Sequence, residues 1–415
     1  MVEVVAREPG ALSPRSGLAR ILAHPPGYAV LALCAAILAL RRAEAVTNPQ
    51  FWAEDGYFFE RAYVLGWQSF KEPFAGYLHT ILRAIAEVAA LTDPARAPAI
   101  FVACSAAVTL YVAGRALSAR CPLPRLGGAC ALAVVLVPDT YEVLLTVVNL
   151  QWVIGAGLVL LLISRDPRGA RQWAHDLAAA AAMGLTGPFC IILLPLFALR
   201  AWLRGTRASA AVAATVAGCA LVQGYLVHTQ PPIDSGAPGS HVAFSLLLPA
   251  VGRRIGGSIL MGSLVSAQTD LYFGAAVGAA TLAAVAYLAF RPGGEREGRA
   301  LLGLAFFALL AASLYRTRHT LDEFFQPLAH ARFVFIPQLA AIWLLLSAVG
   351  QKGLAGRLAP WLCAWGLLVN IPRFREPAYV DLHWSSYEGR IRAGLPVKVP
   401  INPPGWYVPV PSRGK

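Results

Sequence analysis

The sequence predicts an all-α protein, a polytopic transmembrane helical bundle of about 11 spans, each needing roughly 20 apolar residues and fewer where helices break inside a bundle. Three observations predict it. Of 415 residues, 57% are hydrophobic and only 14% charged. The apolar residues run in blocks too continuous for an amphipathic soluble fold. The short loops between the blocks sort by charge.

Residues 1–20 carry Arg7, Arg15 and Arg20 ahead of an apolar run from Gly27 to Leu40, and read as a cytoplasmic segment. Ala43-Glu44-Ala45 fits a signal-peptidase site, but Arg41 and Arg42 stand between it and the apolar run, so an uncleaved signal-anchor helix is expected. The spans fall near 21–40, 97–114, 126–137, 143–163, 172–186, 188–203, 208–227, 271–290, 300–315, 333–349 and 358–371, giving a transmembrane domain over 21–371. "GLTGPF" at Gly184–Phe189 reads as a break between two helices or as a kink in one. The second reading would move the C-terminus to the cytoplasm.

With residue 1 in the cytoplasm, Arg115, Arg120 and Arg125, then Arg165, Arg168 and Arg171, then Arg200, Arg204 and Arg207, then Arg291, Arg296 and Arg299, then Lys352 and Arg357 fall on the cytoplasmic side. Glu54, Asp55, Asp139, Glu142, Asp234, Asp270, Asp322 and Glu323 collect on the other. The net charge of +13 therefore reads as topology, and a nucleic-acid partner is rejected.

Segment 41–96 is too polar to cross a bilayer and is expected outside. Phe58, Phe59, Ala62, Tyr63 and Gly66 recur at helical spacing, and Leu78, Ile81, Leu82, Ile85 and Val88 form an apolar stripe opposite His79, Arg83 and Glu87. Both are expected to lie as helices in the membrane interface. A second outer loop, 228–270, holds the Pro/Gly-rich "HTQPPIDSGAPGSH" and then Arg253 and Arg254. The proline-punctuated stretch 372–415 is expected to be an ordered non-cytoplasmic tail.

Seven cysteines without C-x-x-C spacing read as core residues, and eight histidines show no H-x-x-x-H pair. No metal and no cofactor is expected, a loosely held divalent ion near Asp55 being the one case left open. Phosphate-loop, dinucleotide and G-x-S-x-G motifs are missing from the sequence, which points to an activated lipid as the energy source.

Chemistry concentrates in "NPQFWAEDGYFFERAY" (Asn48 to Tyr63). Asp55 reads as an N-cap of a helix starting at Gly56. It reads also as a general base, with Glu54 as partner and Trp52 and Phe51 beside it, its pKa lifted by partial desolvation. Arg253, Arg254, Arg316, Arg318 and Arg332 are candidates to grip a lipid phosphate, whose oxygens a guanidinium fork holds in two places. Each of them also reads as the partner of an acid such as Asp322 or Glu323, or of a lipid headgroup. His79, Arg83, Asn149, Gln151, Trp152 and Glu142, with Trp52, are candidate substrate contacts. Asp139 and Glu142 read equally as caps and anchors.

"FWAEDG", "PFAGYLHTILRAIA", "LTGPF", "ARFVFIPQLAAIWLL" and "PINPPGW" resemble motifs of the GT-C superfamily of polytopic glycosyltransferases. That resemblance covers nearly the whole chain. It implies a bacterial inner-membrane enzyme that moves a sugar from a polyprenyl-phosphate donor to an envelope lipid or glycan acceptor, on the non-cytoplasmic side and with inversion. The acidic motif falls on Glu54 and Asp55, and the resemblance puts the base on Asp55. Unlike larger members, the chain shows no sizeable soluble C-terminal domain. Two other classes compete: a lipid or sugar transporter, against which stands the lack of an internal repeat, and a non-catalytic scaffold.

Overall fold

The structure is a computed structural model that describes residues 26–123, 127–230, 244–321, 323–326 and 329–412. The N-terminal segment 1–20, Arg125, the loop 231–243 with Asp234, and Asp322 lie outside the described residues, as does the side chain of Glu323.

The protein is mostly helical and built for a membrane. Five helices are long and apolar enough to cross one: Pro94–Ala116, Arg207–Thr229, Leu271–Phe290, Arg296–Arg316 and Leu354–Arg373. In chain order the larger helices are α1 (Gly27–Arg41), α2 (Asp55–Leu65), α3 (Thr80–Thr92), α4 (Ala97–Ala116), α5 (Gly127–Leu136), α6 (Leu150–Ile163), α7 (Ala170–Gly184), α8 (Phe189–Arg204), α9 (Arg207–Thr229), α10 (Leu271–Phe290), α11 (Arg296–Arg316), α12 (Ala331–Leu346) and α13 (Leu354–Asn370). "GLTGPF" separates α7 from α8, with Gly187 at φ 82 in the left-handed region where a side chain is strained. The Gln223 amide from α9 holds that break, donating to the carbonyls of Leu78 and Gly187.

Helix α6 sits at the centre. Its residues from Val153 to Ile163 are all buried, so it is apolar around its whole circumference, as a helix surrounded by others must be. It is shorter than the expected span 143–163, because residues 143–149 are not helical. Their backbone is held by side chains instead: the Asp55 carboxylate accepts from the N–H groups of Val147 and Val148. Leu145 there adopts φ 62, a conformation a helix excludes.

In helix α3 the polar stripe is buried together with Leu82 and Ile85 of the apolar one. His79 just ahead of it, with Arg83 and Glu87, is buried, while Val88 and Leu91 are exposed. Arg83 lies over the rings of Tyr57 and Phe58, 5.2 and 4.8 Å from their centroids. The cation is thus covered by aromatic faces from α2 rather than by water.

The tail departs from the all-α expectation. Strands β1 (Val397–Ile401) and β2 (Trp406–Val410) form an antiparallel hairpin, with Pro400 and Pro409 tolerated because a two-stranded sheet consists only of edges. The hairpin packs on α2 at Gly56, where an added Cβ would approach Ile401 Cδ1 to 2.7 Å and Val408 Cβ to 3.2 Å. Gly56→Val should therefore lift the hairpin from α2, and limited proteolysis should cut the variant between residues 390 and 412 where the wild type resists.

The helices bring two polar ends together. At one end lie Arg41, Arg42, the acidic motif, the loop 137–149 and Glu376. At the other, Arg120 binds Asp176 and the Arg165 carbonyl, Arg204 binds Asp166 and Glu297, and Arg165 binds Glu295. The arginines read as loop markers are thus partly neutralised by carboxylates at the same end.

Candidate active site

Helix α2 begins at Asp55, and its N-cap residue is Glu54, which makes no capping bond. Asp55 therefore does not cap a helix starting at Gly56. Its carboxylate is 2% exposed and fastens two segments together. Oδ1 accepts from Val147 N at 3.0 Å and Val148 N at 2.7 Å, and Oδ2 accepts from Trp52 N at 3.2 Å. Burial pushes its pKa up to about 7; the three backbone N–H groups oppose this and the neighbouring Glu54 charge adds to it.

Glu54 has the opposite surroundings. It is half-buried, and its carboxylate has no hydrogen-bond or ion-pair partner among the described residues. The turn that presents it carries Ala53 at φ 46, and the loop gripped by Asp55 carries Leu145 at φ 62. Non-glycine residues held left-handed cost about 1–3 kcal/mol each and persist where the surroundings over-determine them. Ala53 directly precedes the acid pair, and Leu145 lies two residues ahead of Val147, whose N–H Asp55 holds.

An aromatic wall adjoins the pair. Trp52 stacks on Tyr379 with centroids 4.6 Å apart and meets Tyr141 edge-on at 5.6 Å. Arg42 lies over Tyr379 at 4.1 Å and donates to the Tyr141 carbonyl. Next to Tyr141, Glu142 accepts from Arg332 Nη1 at 2.7 Å, and the Asn149 amide donates to the Glu142 carbonyl at 2.9 Å. Trp152 packs edge-on against Phe333 and Phe189. Trp52, Glu54, Asp55, Glu142, Asn149, Trp152 and Arg332 thus share one end of α6. Gln151 is half-buried, turned toward the Val148 carbonyl and Gly187.

Most of the other expected contacts are engaged by groups of the chain itself. Arg254 is buried and donates through Nη1 to the carbonyls of Phe324, Gln326 and Ala329, with Nε 3.5 Å from Asp139. Asp139 also accepts from Gln338 and Ser258. The Arg254 guanidinium is 4% exposed and is held by these carbonyls, while its Nη2 has no hydrogen-bond partner among the described residues. Arg253 donates to the Thr269 carbonyl and lies over Phe325, and Arg318 folds back on Tyr315. Arg316 is exposed at the end of α11, near enough to Tyr77 to act on its hydroxyl. His79 is enclosed by Phe58 and Phe74, and burial pushes its imidazole down to about 4.

Sequence reasoning missed Tyr141, Tyr379 and Arg42 as parts of the wall, and also the cleft beside it. A cavity of about 390 Å³ opens between α2 and the hairpin, lined by Ala53, Tyr57, Glu60, Trp406 and Tyr407. Trp406 stands in "PINPPGW", so an aromatic in a proline-rich tail was the available signal. No group of three or more metal-ligating side chains occurs among the described residues.

The carboxyl of Asp55 gives a pH signature. Its folded pKa of about 7 exceeds the ordinary value of 3.8, so between these the folded state holds the extra proton and stability falls as pH rises through that window. His79, held below its ordinary 6.5, acts with opposite sign between about 4 and 6.5. Comparing variants isolates the first: Asp55→Asn should lower the thermal midpoint more at pH 5 than at pH 8.

Compared with family models, curated proteins and solved structures, the chain matches none of them.

Proposed function

We propose that the protein is a membrane glycosyltransferase of the GT-C type, with Glu54 as the general base and Asp55 as the residue that positions it. The observation that carries this reading is the split of the acid pair: one carboxylate buried and tied by three backbone N–H groups, its neighbour unpartnered on a strained turn beside an aromatic wall. A base must meet the hydroxyl it deprotonates, which favours Glu54 over Asp55.

In this reading a sugar ring of the acceptor approaches along the cleft beside Ala53, Tyr57 and Trp406, or across the face of Trp52. Glu54 takes the proton of an acceptor hydroxyl, the oxygen attacks C1 of the donor sugar, and the C1–O bond to the lipid phosphate breaks with inversion. Arg332 and Arg316, which lie at the surface of this end, stabilise the leaving phosphate. Arg332 would exchange Glu142 for the phosphate. The eleven helices at the expected positions are read as spans or part-spans in a bacterial inner membrane, with this end on the non-cytoplasmic side.

The test is incubation of the purified protein with a panel of radiolabelled polyprenyl-phosphate sugars and a membrane lipid and glycan extract. Label should leave one donor and appear in an acceptor with inverted configuration at C1. Retained configuration, or label that stays on every donor, would overturn the mechanism.

A further inference from the structure

The end of the bundle remote from the acid pair carries a larger groove, about 590 Å³, that the transferase reading does not use. Its two halves differ in chemistry. One is apolar helix surface from α1 and α4, with Leu31 and Leu110. The other is basic, with Arg115 at the end of α4 and Arg171 and His175 on α7. Tyr111 stands between them, its hydroxyl 3.0 Å from His175 Nε2.

The charges are unbalanced toward the groove. Arg115, Arg120 and Arg171 line it, and no carboxylate does among the described residues. The nearest, Asp176, is fully buried behind them and already held by both Nη atoms of Arg120. Arg115 is 9% exposed, and its contacts are long: 3.4 Å to Tyr111 and to His175, 3.7 Å to Asp176. Its Nε has no hydrogen-bond partner among the described residues. Arg171 is exposed without an ion pair among the described residues.

We propose that this groove binds one anionic phospholipid, its phosphate between Arg115 and Arg171 and one acyl chain along Leu31 and Leu110. Guanidiniums that line one groove with no carboxylate in its lining favour an anion there. The apolar half belongs to the flank of a helix long enough to cross a membrane, and the guanidiniums lie at that helix's end, where the phosphate layer of a bilayer falls. A soluble anion would use only the basic half. An uncharged or zwitterionic lipid would leave the excess positive charge uncompensated. The inference stands apart from the transferase reading and survives its failure.

The experiment is native mass spectrometry of the purified full chain titrated with phosphatidylglycerol, with phosphatidylcholine, and with inorganic phosphate. The wild type should take up one phosphatidylglycerol in preference to phosphatidylcholine. Arg171→Gln, a change at an exposed position, should weaken phosphatidylglycerol about fivefold, the effect of one cation near a phosphate. Phosphatidylcholine binding should not change. Leu110→Trp, which fills the apolar half, should weaken phosphatidylglycerol as well. Equal uptake of the two lipids, or no effect of either variant, would overturn the proposal. Phosphate competing as well as the lipid would overturn the acyl-chain half and leave a simple anion site.

Discussion

Glu54→Gln should reduce kcat for sugar transfer at least about 100-fold with KM little changed, the loss expected when a positioned general base is removed. Glutamine keeps the shape of the side chain, and Glu54 makes no bond among the described residues whose loss would disturb the fold. Asp55→Asn should behave differently. The amide oxygen can still accept from Val147 and Val148, while the NH2 group replaces the acceptor that faced Trp52 N. Transfer should stay within about tenfold of the wild type, in keeping with a positioning role. Thermal unfolding in detergent verifies that both variants are folded. If Asp55→Asn is inactive and Glu54→Gln active, the base is Asp55 and burial serves to raise its basicity.

The largest stability effect should come from Glu376. Arg41 and Glu376 pair at 2.7 Å, each 3% exposed, and Arg41 donates as well to the carbonyls of Val135 and Val137. Thr140 donates to the same Glu376 oxygen at 2.6 Å. Removing one partner of such a buried pair leaves a charge with no compensation and costs about 3–5 kcal/mol. Glu376→Ala should therefore lower the thermal midpoint strongly and free the tail. The double variant Arg41→Met with Glu376→Met should recover much of the loss, because apolar groups of similar volume remove the desolvation cost along with the attraction. A double variant as unstable as Glu376→Ala would mean that Arg41's carbonyl contacts, and not the pair, hold the tail.

The helical membrane architecture was legible because apolar blocks and loop charges are local features of sequence. Helix positions followed within a few residues for most blocks, from 97–114 expected against Ala97–Ala116 found, to 271–290 against Leu271–Phe290. What was not legible depended on distant partners. Residues 143–149 are apolar enough to read as part of a span, yet the N–H groups of Val147 and Val148 are taken by a carboxylate more than ninety positions earlier. His79, Arg83 and Glu87 form a polar stripe, and only the rings contributed by α2 explain why it faces inward. Arg41 and Arg42 read in sequence only as a barrier between the first apolar run and a signal-peptidase site, because their partners, Glu376 and Tyr379, lie over three hundred residues away.

The same limit applied to the site. The acid pair stood out as two carboxylates among aromatic residues at an apolar boundary, but which of them is buried was set by the loop folded over it. Of the arginines, sequence could not separate Arg254, locked on three carbonyls, from Arg332, which holds a single acid at the surface.

The most direct measurement uses proteoliposomes containing the purified protein and a polyprenyl-phosphate sugar labelled in its sugar, with a glycan acceptor outside. The transferase reading predicts that label moves from the lipid into the acceptor and that polyprenyl phosphate is released in equal amount. Labelled donor that crosses the bilayer intact, with no label in the acceptor, would contradict it and make the protein a transporter.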